Sequence, residues 1–272
     1  MEPEARARSL LRGLGSVVVA FSGGVDSSVL LALAVEELGP DGVVAVTAVS
    51  ETYARGQLQD AVGVATSLGV RHEVLPTREL DIPGFSQNPP ERCFHCKTEL
   101  MSRLCGLAQE WGMGSVVDGA NADDAFDFRP GIRAADLLGV RHPLLESGLG
   151  KEAVRDLARC LGLPNAERPA MACLASRIPY GEEITAEKLA QVEAAEACLS
   201  RLGFRQSRVR HHGPLARIEV PAEELTRLVE PAARCTVASE LKRLGYTYVA
   251  LDLEGFRSGS MNEVLTSGKG ES

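Results

Sequence analysis

Over the first 180 residues, short unbroken apolar runs alternate with stretches of helical periodicity. Residues 16–22, Ser-Val-Val-Val-Ala-Phe-Ser, form an apolar, β-branched run bounded by glycines. That is the pattern of a strand buried on both faces. Apolar residues at helical spacing follow over 26–38 and stop before Gly39-Pro40. The alternation continues with strands at 43–49, 71–75 and 115–118 and a helix at 54–68. Residues 151–161 are apolar at 153, 154, 157, 158 and 161, one face of an amphipathic helix. Strands alternating with helices predict an α/β fold with a doubly wound parallel sheet, with ligands outside the carboxyl ends of its strands. After Pro179-Tyr-Gly181 the pattern changes to a helix (185–202), paired strands (206–212 and 216–220), two helices (222–229 and 232–244) and a closing strand (246–251). This order predicts a smaller α+β domain. The expected division is 1–180, 181–265 and a flexible tail over 266–272.

Chemistry concentrates where the first strand meets the first helix, in Ala20-Phe-Ser-Gly-Gly-Val-Asp-Ser-Ser28. Gly23 and Gly24 let the backbone turn sharply and bring N–H groups up to an anion. The helix behind adds its unpaired N–H groups and the positive end of its dipole. Ser22, Ser27 and Ser28 add hydroxyls, and Asp26 suits a magnesium-linked or loop-orienting role. The chain has no Gly-x-x-x-x-Gly-Lys-[Ser/Thr] and no Gly-x-Gly-x-x-Gly between a strand and a helix. Both γ-phosphate transfer and dinucleotide redox chemistry lose support.

Composition narrows the partners. A net charge of -8 and an aromatic content of 4% weigh against a nucleic-acid partner, which asks for basic grooves and stacking rings. No apolar run approaches the roughly 20 residues of a membrane span. Residues 1–15 run straight into the strand at 16–22, so cleavage of a signal peptide there would remove function, and a cytoplasmic location is expected. Seven cysteines, an odd number, do not form a disulfide framework. Cys93 and Cys96 form a Cys-x-x-Cys pair at an expected helix start, and Cys173 stands in an irregular segment. The three thiolates can hold a metal centre. Zinc with a histidine such as His95, a redox dithiol and an iron–sulfur cluster remain open on spacing alone. Cys105, Cys160, Cys198 and Cys235 lie in helical patterns and read as small core residues.

The Ser-Gly-Gly-x-Asp-Ser loop resembles that of the N-type ATP-pyrophosphatases, the PP-loop superfamily of GMP, NAD and asparagine synthetases and several tRNA thiolases. Three further motifs occur in order: Asn-Pro-Pro-x-Arg-Cys-x-x-Cys-Lys (88–97), Asp-Gly-Ala-Asn-x-Asp-Asp (118–124) and Ala-Cys-Leu-Ala-Ser-Arg-Ile-Pro-Tyr-Gly (172–181). Together they resemble the LarE family, sulfur transferases of nickel-pincer nucleotide cofactor synthesis.

The resemblance implies a PP-loop ATP-pyrophosphatase domain over 1–180 and a substrate-binding and oligomerisation domain over 181–265. ATP would adenylylate a carboxylate of pyridinium-3,5-biscarboxylic acid mononucleotide, and sulfur would displace AMP. ATP and Mg2+ are the implied cofactors, with Ala20, Phe21, Ser22, Gly23, Gly24, Asp26, Ser27, Ser28, Ser50, Gly119 and Asn121 around the nucleotide. Some relatives sacrifice the sulfur of one cysteine, matching Cys173, and keep a dehydroalanine. Others carry three cysteines for a [4Fe-4S] cluster that holds a transferable sulfide, a pattern that Cys93, Cys96 and Cys173 fit. Implied partners are the small-molecule mononucleotide and further copies of the chain.

Arg208 and Arg210 share one face of the strand at 206–212 and suit a phosphate clamp, or else a solvated face paired with Glu219. Arg92, Ser176 and Arg177 neighbour the cysteines as candidate substrate contacts, and Glu196 resembles a family acid or is a helix-surface carboxylate. Competing readings are a tRNA thiolase, an amide-forming synthetase of the GMP or NAD type, and a nucleotide sensor without turnover.

Overall fold

The computed structural model describes residues 2–126, 129–169, 172–257 and 259–267. It divides into two compact units, the first built from Met1–Pro83 and Glu91–Met171, the second from Gly84–Pro90 and Ala172–Ser272.

In the first unit the order is α1 (Pro3–Leu14), β1 (Val17–Ala20), α2 (Val25–Leu38), β2 (Val43–Val49), α3 (Arg55–Ser67), β3 (Arg71–Pro76), α4 (Arg92–Glu110), β4 (Ser115–Asp118), α5 (Pro130–Leu137), α6 (Pro143–Ser147) and α7 (Lys151–Cys160). The four strands pair in parallel in the order β3-β2-β1-β4. Successive β1 residues feed opposite layers, as the pleat requires. Val17 and Val19 join a core with Leu30, Leu33, Ala61, Leu144 and Val154, whereas Val18 joins Val44, Met101, Leu104 and Ala135. Sheet faces covered on both sides explain why the strands read as continuous apolar runs. The parallel α/β sheet expected from the alternation is the one observed. The helices α1 and α5 had no counterpart in the sequence reading; arginines spaced through 3–14 break up the apolar stripe of α1 until Ala7 and Leu11 are seen to be its buried contacts.

The second unit holds α8 (Ala186–Arg201), β5 (Arg208–His212), β6 (Leu215–Glu219), α9 (Leu225–Val229), α10 (Pro231–Arg243), β7 (Tyr248–Leu251) and α11 (Glu263–Ser267). β5 and β6 are antiparallel and β7 joins β6 in parallel, so the sheet runs β5-β6-β7. Its core gathers Ala195, Leu199, Phe204, Val209, Ile218, Val237, Leu241 and Tyr246.

This unit starts earlier than the expected boundary at 181, because 84–90 and 172–180 pack with it. Asn88 sits at φ 56 and its amide donates to the Ile178 and Pro179 carbonyls, while Ile184 N–H donates to Ser86 O. At the other end α11 continues to Ser267, and 268–272 of the expected tail lie outside the described residues.

The four cysteines expected in cores divide. Cys198 is buried, Cys105 is half-buried, and Cys160 and Cys235 are exposed. On α10 the buried positions are Val237 and Leu241, and Cys235, two residues before the first of them, falls on the opposite face. Among the described residues no helix is long and apolar enough to cross a membrane.

The most deeply buried charge of the second unit is Glu219, fully inaccessible and bound by both arms of the Arg210 guanidinium at 3.0 and 2.7 Å. Breaking a buried pair strands the remaining charge, so Glu219→Ala is expected to cost about 3–5 kcal/mol of unfolding free energy. Urea denaturation of the two proteins checks it.

Candidate active site

The β1 strand delivers the chain to a turn at the amino end of α2. Gly23 adopts φ +73, and a Cβ there would stand 2.9 Å from the Ala61 Cβ, so only glycine fits. Ser22 is exposed at the tip. Its hydroxyl lies 3.1 Å from that of Ser27, which in turn reaches the Gly24 carbonyl at 3.1 Å. Phe21 and Ala20 pack beneath the turn. Ser28 is fully buried and its hydroxyl accepts the Asn165 amide at 2.8 Å, inside the loop.

The loop after β4 closes on α2 from the side. A Cβ on Gly119 would stand 2.8 Å from the Ser27 backbone nitrogen, a contact that no side chain can relieve. This approach brings the Asn121 amide to Asp26 at 3.0 Å. Burial raises the pKa of Asp26, the Asn121 hydrogen bond opposes this, and the Asp124 carboxylate raises it further. Lys151, at the start of α7, offsets the pair, with its ammonium 3.4 Å from Asp124. Two carboxylates and an amide oxygen are hard donors of the kind Mg2+ takes.

Beyond the carboxyl ends of β2 and β3 lies an open cleft of about 530 Å³, lined by Ser50, Tyr53, Leu58, Pro76, Thr77 and Arg78 among others. Ser50 orders its mouth, its hydroxyl accepting Thr52 N–H at 3.1 Å. Tyr53 links cleft and loop by donating to Ser22 O at 2.8 Å.

Cys93 and Cys96 occupy the first turn of α4, three residues apart and therefore on one face. Cys93 is exposed and Cys96 half-buried, while Arg92 between them and the preceding loop is buried. One residue on, the Lys97 ammonium lies 3.5 Å from Asp118, the last residue of β4. Asp118 also accepts from Ala120 N–H at 3.1 Å and meets His142 Nδ1 at 2.6 Å. Burial alone would raise the Asp118 pKa, but Lys97 and His142 hold it well below the ordinary carboxylate range. Among the described residues no group of three or more His, Cys, Asp or Glu is gathered for a metal ion.

In the second unit Cys173 is exposed and begins a short 3-10 turn, Leu174–Arg177. Arg177 is buried and fills its guanidinium locally. It forms a two-armed pair with Glu196 (2.8 and 2.9 Å) and donates to the carbonyls of Ala172 and Cys173 and to the Ser176 hydroxyl. Glu196 also accepts Val209 N–H at 3.0 Å, which ties this turn to β5. Arg210, besides Glu219, reaches Ser176 O and the Ser260 hydroxyl. Arg208 stacks 5.2 Å over Phe256, and burial first, then Arg177, lowers its pKa to about 10, so it stays cationic at neutral pH.

A family model for NAD synthase matches residues 10–99, from the end of α1 through the cysteine pair. Over 256 residues, 94% of this chain and 92% of the relative, the sequence is 40% identical to the pyridinium-3,5-bisthiocarboxylic acid mononucleotide synthase of Lactiplantibacillus plantarum. The chain belongs to the LarE family. An uncharacterized protein of Synechocystis sp. is 44% identical over 95% of this chain and 96% of its own length. The NH(3)-dependent NAD(+) synthetase of Chlorobaculum tepidum is 30% identical, over 56% of this chain and 55% of its own. Identity to the two full-length relatives thus runs through both units, whereas the synthetase likeness covers about half of each chain.

For this LarE-family chain, the first unit brings together Ala20, Phe21, Ser22, Gly23, Gly24, Asp26, Ser27, Ser28, Gly119 and Asn121, with Ser50 in the adjoining cleft. The second brings together Cys173, Ser176, Arg177, Glu196, Arg208 and Arg210. Tyr53, Asn165, Asp124, Lys151, Lys97, Asp118 and His142 are further residues of the site that the sequence alone does not single out. Lys97, Asp118 and Asp124 lay inside quoted motifs and were legible there; Asn165 and His142 carry no local signal.

Burial works against a charged His142, but the bond to Asp118 outweighs it and raises its pKa above the ordinary 6.5. The lowered Asp118 pKa expresses that same contact together with the larger pull of Lys97. A raised folded-state pKa gives stability that is complete below 6.5 and lost as pH rises through the folded value. Wild type should therefore lose more stability than His142→Gln between about pH 6 and about pH 9, measured by urea unfolding.

Proposed function

We propose that this protein is an ATP-dependent sulfur transferase acting on pyridinium-3,5-biscarboxylic acid mononucleotide. The reading is carried by a preformed glycine–serine loop at the head of α2, in a chain 40% identical over 94% of its length to a relative named for the bisthiocarboxylic product.

A substrate carboxylate oxygen attacks the α-phosphorus of ATP, the bond to pyrophosphate breaks, and an acyl-adenylate forms. A sulfur nucleophile then adds to the acyl carbon, the carbon–oxygen bond to AMP breaks, and a thiocarboxylate results. A second round gives the bisthiocarboxylic acid. Activation is needed because an unmodified carboxylate has no competent leaving group, whereas thiolate or sulfide is nucleophilic near neutral pH without a dedicated base.

In this reading Ser22, Gly23, Gly24 and Ser27 bind the β- and γ-phosphates and the cleft at Ser50 takes adenine and ribose. Asp26 is the residue that would hold Mg2+, whose charge offsets that of the triphosphate. Arg92 in the first unit is one candidate contact of the mononucleotide, and Arg208 with Ser176 in the second is another. Arg177, Glu196 and Arg210 support that surface through the pairs described above. A cytoplasmic, reducing setting and assembly into homo-oligomers complete the reading.

The sulfur has two candidate sources. Cys93, Cys96 and Cys173 have the donor chemistry of a three-thiolate [4Fe-4S] site, and a bound cluster would present a transferable sulfide on its fourth iron. The exposure of Cys173 favours a second route, in which its own Sγ attacks the acyl-adenylate. Loss of the cysteine α-proton and cleavage of the Cβ–S bond then leave dehydroalanine and the thiocarboxylate.

Anaerobic purification, iron and sulfide analysis, and mass spectrometry of protein and product separate these routes. The cluster route expects iron and sulfide that are lost in Cys93→Ser, with repeated turnover. The sacrificial route expects a metal-free chain that loses the elements of hydrogen sulfide at Cys173 once per sulfur transferred, so that two chains are consumed per bisthiocarboxylic product. Thiocarboxylate formation undiminished in Cys173→Ser would contradict both.

A further inference from the structure

Three consecutive carbonyls of the phosphate loop are each held by a side-chain donor from a different part of the first unit. Phe21 O accepts the Thr47 hydroxyl at 2.7 Å, Ser22 O accepts the Tyr53 phenol at 2.8 Å, and Gly23 O accepts the Asn165 amide at 2.9 Å. Thr47 lies inside β2, Tyr53 in the turn after it, and Asn165 beyond the end of α7. Thr47 and Asn165 are buried.

In a planar trans peptide the C=O of one residue and the N–H of the next point in opposite directions. Fixing the carbonyls of residues 21, 22 and 23 on the scaffold side therefore aims the N–H groups of Ser22, Gly23 and Gly24 the other way, that of Gly24 meeting the exposed Ser22 hydroxyl at 3.3 Å. The constraint matters most at the Gly23–Gly24 peptide. With glycine on both sides its plane can rotate at little steric cost, and rotation would turn a carbonyl oxygen toward an anion. We infer that Thr47, Tyr53 and Asn165 are positioning residues that hold the loop in its anion-binding state before any phosphate arrives. The inference rests on the ATP-binding reading above.

Each donor is itself fixed. Thr47 gives its one proton to Phe21 O, so at its 2.8 Å contact with His72 Nε2 the hydroxyl accepts and the ring donates. The Asn165 amide also donates to Ser28 Oγ at 2.8 Å, which locks its orientation. Burial, with a smaller push from Asp60, moves the Tyr53 phenol up to about 12, so it keeps its proton at every pH at which the chain would work. An anion cradle whose dipoles are oriented in advance loses no reorganisation energy on binding.

The test is calorimetric titration of magnesium pyrophosphate and, separately, of adenosine into wild type, Tyr53→Phe, Thr47→Val, Thr47→Ser and Asn165→Ala. Tyr53→Phe and Thr47→Val remove a donor and keep the shape. Each is expected to weaken pyrophosphate binding about fivefold to tenfold, the worth of one hydrogen bond, and in Thr47→Val, whose residue lies outside the adenosine cleft, adenosine affinity stays within about twofold. Thr47→Ser, which keeps the hydroxyl, should return pyrophosphate affinity to within about twofold of wild type. Asn165→Ala should weaken pyrophosphate binding most, since it frees the diglycine peptide. Unchanged pyrophosphate affinity in both shape-preserving variants overturns the inference, as does a parallel fall in adenosine affinity in Thr47→Val. A wild-type chain that binds adenosine but no pyrophosphate would overturn the phosphate site itself, and the inference with it; that result appears before any substitution is made.

Discussion

At Gly23 and Gly119 four segments of the first unit come together in pairs closer than any side chain allows. A Cβ at the first would meet Ala61 at 2.9 Å, and at the second the Ser27 nitrogen at 2.8 Å. The loop after β1 can lie on α3, and the loop after β4 on the start of α2, only because these positions carry no side chain. From that approach follow the Asn121–Asp26 hydrogen bond, the grouping of Asp26 with Asp124 and Lys151, and the seat of Asn165 behind the loop. The parallel sheet makes the approach reproducible, since its register brings Ala20, the last residue of β1, level with Asp118, the last of β4.

Asp118 extends the arrangement to the cysteine pair. Its carboxylate is shared by Ala120 N–H, His142 and Lys97, so the residue that ends β4 contacts both the loop near Asp26 and the helix turn bearing Cys93 and Cys96. The second unit uses the same device with opposite sign. Buried guanidiniums of Arg177 and Arg210 are held by Glu196 and Glu219, and their remaining N–H groups fix the backbone around Cys173 and Ser176. Buried pairs of this kind add little net stability, because desolvation offsets most of the attraction. What they supply here is a rigid frame around an exposed thiol.

Much of this was legible in the sequence. The strands at 43–49 and 115–118 read directly, because a parallel strand covered on both faces is an apolar run with no competing period. The loop was legible because a strand, a diglycine and a helix start coincide within a few residues. Two features were not. The boundary between units depends on 84–90 packing with 172–180, a long-range pairing held by the Asn88 side chain that no local pattern encodes. The partner of Arg177 was equally hidden: Glu196 is separated from it by 19 residues and belongs to a different element. Glu219 had been weighed as a partner for the strand arginines because alternation puts both on one face, and the structure joins it to Arg210. Residues whose role is to hold others, such as Asn165 and His142, carry no signature because any donor at the right point in space would do.

If the glycine–serine loop serves cleavage of ATP between the α- and β-phosphates to activate a carboxylate, the fate of the α-phosphate reveals it. ATP labelled in that phosphate is incubated with and without pyridinium-3,5-biscarboxylic acid mononucleotide, and the labelled product is identified. Labelled AMP with an equal amount of pyrophosphate is expected, formed only when the mononucleotide is present. Labelled ADP with inorganic phosphate, or AMP formation indifferent to the mononucleotide, would refute that role for the loop.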